Sequence, residues 1–113
     1  MGQQVYLFGN CGKDPEVKTV GDNNTKLATF TLATNKKIKD EKVTEWHNVK
    51  AWRWAADKVE QKLRKGDVVA ICGELHTDEW TDDNGEKKFR TWIEVAFFEN
   101  IVIEPKGNGS EGY

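Results

Sequence analysis

An all-β barrel of five strands with one short helix is the architecture that these 113 residues predict. Three observations carry it. Apolar residues recur with period two in short blocks separated by Gly, Asn and Asp. A single block, Ala55 to Leu63, changes to helical spacing. And Asp82-Asp83-Asn84-Gly85, between two β-rich runs, is a strong short-range hairpin signal.

Gln4 to Asn10 is the first strand. Its apolar residues, Val5 to Phe8, fall on both faces, which predicts a central place in a closed barrel or cover by another subunit. Gly12 and Asp14-Pro15 bend the chain, Glu16 to Val20 resumes a strand, and Gly21 to Asn24 turns. Lys26 to Thr34 follows, with Ala28, Phe30 and Leu32 toward the core. Asn35 to Val43 breaks the pattern with Lys36, Lys37, Lys39 and Lys42 against Asp40 and Glu41. Such a run reads as a solvated loop, or as an arm that closes over a bound strand.

Thr44 to Arg53 is the third strand, and after it Ala55, Val59 and Leu63 recur every fourth residue until Gly66 stops the helix behind Arg64-Lys65. One helix cannot make a bundle, so its place is as a plug at one end of the barrel. Val68 to Leu75 is a strongly apolar strand expected to be buried on both faces, and Gly73 permits a bend. His76 to Trp80 leads out to the Asn84-Gly85 turn, and Lys87 to Trp92 returns. The last strand is read from Trp92 through Ile103, with Ile93, Val95 and Phe97 on one face. Residues 1–104 form one domain and the Gly-rich 105–113 a flexible tail. One helix between strands three and four and a long hairpin between strands four and five is the order of an OB-fold, a five-stranded Greek-key barrel.

The formal net charge of -2 argues against holding a polyanion by bulk positive charge, so nucleic-acid binding has to use local clusters and stacking. Cys11 and Cys72 are far apart and lack a CxxC partner, which suits buried free thiols in a reducing cytoplasm. The apolar run Val5 to Phe8 is much too short for a signal or a membrane span, so no membrane association is expected. There is no phosphate-cradling Gly loop and no metal-ligand spacing, and His47 and His76 have no nucleophile nearby in sequence. No enzymatic activity, cofactor or metal is expected.

The chemistry concentrates in Thr44 to Arg53. Strand alternation puts Trp46, Asn48, Lys50 and Trp52 on one face and His47, Val49 and Ala51 on the other. The second face suits a core. On the first, a Lys and an Asn between two Trp would leave polar groups unpaired if buried, so Trp46 and Trp52 are expected to be exposed. Any single Trp suits an ordinary core, but flat aromatics interleaved with a cation and an amide suit stacked bases and a phosphate backbone. From Lys36 to Arg53 there are six Lys or Arg against three Asp or Glu, a locally basic stretch in an acidic chain. Trp80 stands on an otherwise charged hairpin, where a core role is improbable.

Gly9-Asn10, Gly12-Lys13-Asp14-Pro15-Glu16, Thr31-Leu32-Ala33-Thr34, Thr44-Glu45-Trp46-His47, Leu63-Arg64-Lys65-Gly66 and Trp80-Thr81-Asp82 occur in one order. In that order the chain, from about residue 4 to 103, resembles the bacterial single-stranded-DNA-binding protein family. The resemblance implies an OB-fold that binds single-stranded DNA without sequence preference, most often as a homotetramer with a dimer as the alternative. It also implies protection of that DNA in replication, repair and recombination, at the nucleoid. Trp46, Trp52 and Trp80 stand where the family places base-stacking aromatics, and His47 where it has a histidine at a subunit interface, to which Val5 and Leu7 are added. Trp54, where many relatives carry Lys, joins the stacking candidates. Lys36, Lys37, Lys50, Arg53, Lys87, Lys88 and Arg90 are the candidate phosphate contacts.

Besides Trp54, the chain departs from that family in three places. Ile38 replaces a further stacking Trp; Asp78 and Glu79 replace basic residues, and from Asp78 to Glu86 there are five acids and no Lys or Arg. Relatives carry a long tail with an acidic, hydrophobic tip that recruits repair and replication proteins; this sequence ends at Glu111-Gly112-Tyr113, so either the protein lacks that recruiting function or this sequence stops short of the tip. The acidic hairpin also keeps a second reading open: an adaptor of the primosomal type, whose aromatic face grips a peptide.

Overall fold

The computed structural model describes residues 3–97 and 100–104, residue 3 through its backbone alone. The elements are β1 (Gln3–Cys11), β2 (Glu16–Val20), β3 (Thr25–Ile38), β4 (Glu41–Trp52), α1 (Trp54–Lys62), β5 (Val68–Thr81), β6 (Lys87–Val95) and β7 (Ile101–Glu104). Backbone pairing runs β1-β3-β4-β6-β5, and β5 pairs again with β1, so the sheet closes on itself. Closure rests on one parallel pairing, β4 with β6, from Asn48↔Trp92 to Ala51↔Val95. β2 adds to β3 and β7 to β5 outside the ring. This is the expected OB-fold barrel. Where β1 passes from β5 to β3, at Asn10, the backbones lie so close that a side chain at Gly9 would collide with the Ala33 carbonyl.

The core follows the period-two pattern. Ala28, Phe30 and Leu32 of β3, Val49 and Ala51 of β4, Val69 and Ile71 of β5, and Ile93 and Val95 of β6 all point inward and are buried. Helix α1 covers one end with Ala55, Ala56 and Val59, and Leu63 follows at the C-cap. Lys26 fastens β3 to the outside of that helix, its Nζ 2.7 Å from Asp57 and 2.6 Å from Glu60. The helix-stop loop is closed on itself by the Asp67 carboxylate, which accepts from the Arg64 N–H at 2.8 Å, and is tied to the barrel by Asp14, which accepts from the Lys65 N–H at 2.8 Å, and by the Cys11 N–H, which donates to the Asp67 carbonyl at 2.9 Å.

Several expectations are corrected. Asn35 to Val43 is not a loop: β3 and β4 remain paired to Ile38↔Glu41 and turn through Lys39 and Asp40, both at positive φ (50° and 69°). Two consecutive positive φ values suit the twist of a two-residue hairpin turn. The strand read from Trp92 to Ile103 is two strands; β6 ends at Val95, and β7 pairs with the first residues of β5, Val68 to Ile71, where Ile101 is fully buried. Phe97 does not continue the core face and is exposed.

Within the single chain the barrel covers one face of β1, with Val5 and Leu7 on the core, and leaves Tyr6 81% and Phe8 57% exposed, so of the two readings of this strand cover by another subunit is the one left open. Likewise Cys11 is buried but Cys72 is only half-buried, and both are free thiols. The expected tail, 105–113, lies outside the described residues. No helix among the described residues is long and apolar enough to cross a membrane.

Candidate nucleic-acid interface

The residues on the outer face of β4 are Trp46, Asn48, Lys50 and Trp52, as strand alternation requires, because Val49 and Ala51 between them are committed to the core. Across β3 they meet Ala33, Thr31, Thr29 and Leu27 in turn; the short side chains at 33, 31 and 29 leave Trp46, Asn48 and Lys50 standing above the sheet. Trp46 is 62% exposed. Its ring lies over Gly12: a Cβ there would come within 2.5 Å of Trp46 Cζ3 and 2.6 Å of Thr31 Oγ1. Gly12 is thus the seat of the ring, held in place by its N–H donating to the Thr31 carbonyl at 2.9 Å.

On the other side β4 meets β6, and here the structure adds a residue absent from the sequence reading. Trp92 points outward opposite Asn48, with Lys50 Nζ 4.2 Å above its ring centroid. That cation–π contact holds the ammonium beside an aromatic surface. His76 of β5 stacks on Trp92 at 4.5 Å with 17° between the planes, and the indole Nε1 donates to Asp78 at 3.1 Å. Thr29, Thr31, Asn48, Lys50, Arg90 and Trp92 line a groove of about 470 Å³ along this face. The signal for Trp92 was present in its neighbours: Ile93 and Val95 face inward, so Trp92 and Glu94 must face out.

Further along β5, Trp80 is 43% exposed and lies beneath Arg90, whose guanidinium carbon is 5.7 Å from the ring centroid. Trp52 and Trp54 sit at the opposite end. Arg53 between them has φ 56°, which reverses the chain from β4 into α1 and brings both indoles, with Phe97, to the wall of one 790 Å³ cavity. Trp54 is 69% exposed, but Trp52 departs from the expectation of full exposure. It is half-buried, and its Nε1 is sealed from solvent without an acceptor among the described residues. A buried donor left unmade costs about 1–3 kcal/mol, so a ligand oxygen reaching it would be favoured.

The candidate cations divide into two groups. Lys87 pairs with Glu79 at 3.3 Å, Lys88 lies 3.5 Å from Glu86 and 3.8 Å from Asp82, and Lys36 is 3.7 Å from Glu45. These are partly neutralised by the acids of their own hairpins. Lys50 and Arg90 instead lie on tryptophans, Arg53 lines the aromatic cavity, and Lys37 faces Lys42 across the β3–β4 arm. Ile38, in the place of an expected stacking residue, is exposed near the tip of that arm. His47 is half-buried and hydrogen-bonded to the Thr34 hydroxyl at 2.9 Å. Val5 and Leu7 are turned toward the core, so the outward surface of β1 belongs to Tyr6 and Phe8.

Similarity to known proteins agrees with this geometry. The model of the single-strand binding protein family matches residues 2–101. The "Single-stranded DNA-binding protein 1" of Chlorobaculum tepidum is 35% identical over 113 residues, covering 95% of this chain and 69% of that protein. Among solved structures, a "Plasmodium falciparum SSB complex with ssDNA" superposes with a TM-score of 0.76 at 29% identity, over 92% of this chain and 93% of that one. A match over nearly the whole barrel, in sequence and in backbone, places this chain in the single-strand binding protein family.

Proposed function

We propose that this protein binds single-stranded DNA without sequence preference, stacking bases on outward-facing tryptophans and holding the backbone with a small set of cations. The carrying observation is the outer face itself: Trp46, Trp92 and Trp80 along the barrel and Trp52 with Trp54 at its end. Each stacked base contributes roughly 1–3 kcal/mol, and every base offers a π-face, so discrimination between sequences is slight. Lys37, Lys50, Arg53 and Arg90 supply most of the phosphate contacts; Lys36, Lys87 and Lys88 contribute less because their acids compete. Such binding protects unpaired DNA in replication, repair and recombination, as a cytoplasmic, nucleoid-associated protein that performs no catalysis.

The working unit is a homo-oligomer, a tetramer, built on the outward apolar surface of β1, β5 and β7. Tyr6 lies opposite Cys72 and Phe8 opposite Ala70, which in turn lies opposite Val102, a surface-exposed residue. Exposed apolar patches of this kind mark association surfaces. His47 completes the subunit contact. Substitution of Trp52 by Ala tests the main reading: it weakens binding to mixed-sequence and poly-pyrimidine strands alike, and a loss confined to one sequence contradicts it. The peptide-gripping adaptor draws on the acid-rich hairpin tip and predicts no affinity for either strand.

A further inference from the structure

We propose that Glu74, His76 and Glu94 form a binding site for one divalent transition-metal ion, zinc being the best fit, at the border of the nucleic-acid face. Glu74 and His76 are alternate residues of β5 on its outer side, and Glu94 of β6 is the direct cross-strand partner of Glu74. His76 Nε2 is 3.1 Å from a carboxylate oxygen of each glutamate, and the three donor atoms lie within 4.8 Å of one another. Zinc bonds of about 2.0–2.2 Å in a tetrahedral arrangement set neighbouring donor atoms about 3.4 Å apart. The two His76 distances need shifts of only tenths of an ångström to reach that spacing, and the two carboxylates, within 4.8 Å of each other, close on the ion by rotation of their side chains.

The imidazole is already oriented, because its face rests on Trp92. The side chains are each about one-third exposed, so one side of the cluster opens to solvent. An imidazole with two carboxylates suits zinc better than calcium or magnesium, which prefer all-oxygen sites. Three protein ligands leave a fourth position for water or another oxygen donor.

Charge gives an independent reason. Two glutamates directly opposed on neighbouring strands repel each other. They also stand, with Asp78, beside Trp92 on a face that has to accept a polyanion. One divalent ion cancels both glutamates and offers its open position to a phosphate oxygen. The metal site stands on the geometry alone, whereas its coupling to DNA rests on the function proposed above. The sequence hides the cluster because Glu94 is 18 residues from His76 and joins it only through the β5–β6 register.

The test titrates chelator-treated full-length protein with zinc chloride by calorimetry, without DNA, and then measures oligo-dT affinity with and without saturating zinc. Wild type and Cys72→Ser take up one zinc per chain; His76→Gln and Glu94→Gln, checked for folding by circular dichroism, lose that uptake. Zinc tightens oligo-dT binding several-fold in wild type and not in His76→Gln. No uptake by wild type, or uptake unchanged in both ligand variants, overturns the site and leaves an imidazole bridging two carboxylates. Uptake lost in Cys72→Ser moves the metal to the thiol and overturns it equally. Uptake without a change in oligo-dT affinity overturns the coupling, and uptake by a protein that binds no oligo-dT at all overturns the DNA reading while the metal site stands.

Discussion

Replacing Gly12 by Ala attacks the DNA face without altering any residue that would touch DNA. The added Cβ would lie 2.5 Å from Trp46 Cζ3 and 2.6 Å from Thr31 Oγ1. Carbon atoms settle at about 3.5–4.0 Å, so something must move by about 1 Å. Gly12 and Thr31 are tied through their backbones at 2.9 Å, whereas the Trp46 ring is mostly exposed. The backbones therefore stay, and two side chains yield: the Trp46 ring and, by rotation about its Cα–Cβ bond, the Thr31 hydroxyl. The ring swings off its seat, the fold survives, and one stacking platform is misplaced. At roughly 1–3 kcal/mol per stacked base, oligo-dT affinity should fall about 5- to 150-fold. The assay is equilibrium binding to oligo-dT at fixed salt, in wild-type and Trp46→Ala backgrounds. Because the two changes act on the same ring, Gly12→Ala should cost little once Trp46 is gone. An equal loss in both backgrounds, or no loss in wild type, refutes the reasoning.

The remaining expectations concern charge, association and pH. With Lys37, Lys50, Arg53 and Arg90 in none of the ion pairs formed among the described residues, log affinity against log salt should have a slope of about -3, since each phosphate contact on a single strand contributes about -0.7. Lys50→Ala should make it shallower while Lys87→Ala leaves it unchanged; the reverse would mean that the hairpin cations carry the contacts. Sedimentation at micromolar concentration should show a particle several times the 12.9 kDa chain, and Tyr6→Asp should shrink it; a wild-type monomer removes the association claim. Lys26, held by hydrogen bonds to Asp57 first and Glu60 second, is pushed up to about 12. Its raised value means that the stability it lends is fully present below the ordinary lysine range and lost as pH rises through about 12. The gap in urea midpoint between wild type and Lys26→Met should accordingly close with rising pH, and a gap that widens contradicts the assignment.

What could be read from the sequence was whatever a buried face enforces. Ala55, Val59 and Leu63 place the helix because each must reach the barrel interior, and Val49 with Ala51 orients the whole of β4. That orientation turned Trp46 outward without any structure. The arm from Asn35 to Val43 was illegible because most of its side chains are exposed on both faces, which leaves no alternation to detect, and its turn uses Lys39-Asp40 in place of a glycine pair. The apolar run Val5 to Phe8 does not declare which parity meets the barrel; closure on β5 turns Val5 and Leu7 to the core and leaves Tyr6 and Phe8 outside. Trp52 was expected in the open since alternation sets direction but says nothing of Arg53, whose positive φ folds the helix start against the same cavity. The Trp92–His76–Lys50 group needed three strands in register, and the sequence did not supply that register.

The most direct measurement is intrinsic tryptophan fluorescence during addition of oligo-dT. With five indoles in the chain and most of them on the outward surface, the account predicts strong, saturable quenching that high salt reverses, and progressively weaker quenching in Trp46→Ala, Trp80→Ala and Trp92→Ala. Emission that stays constant while the DNA demonstrably binds would mean that the bases lie elsewhere on the barrel.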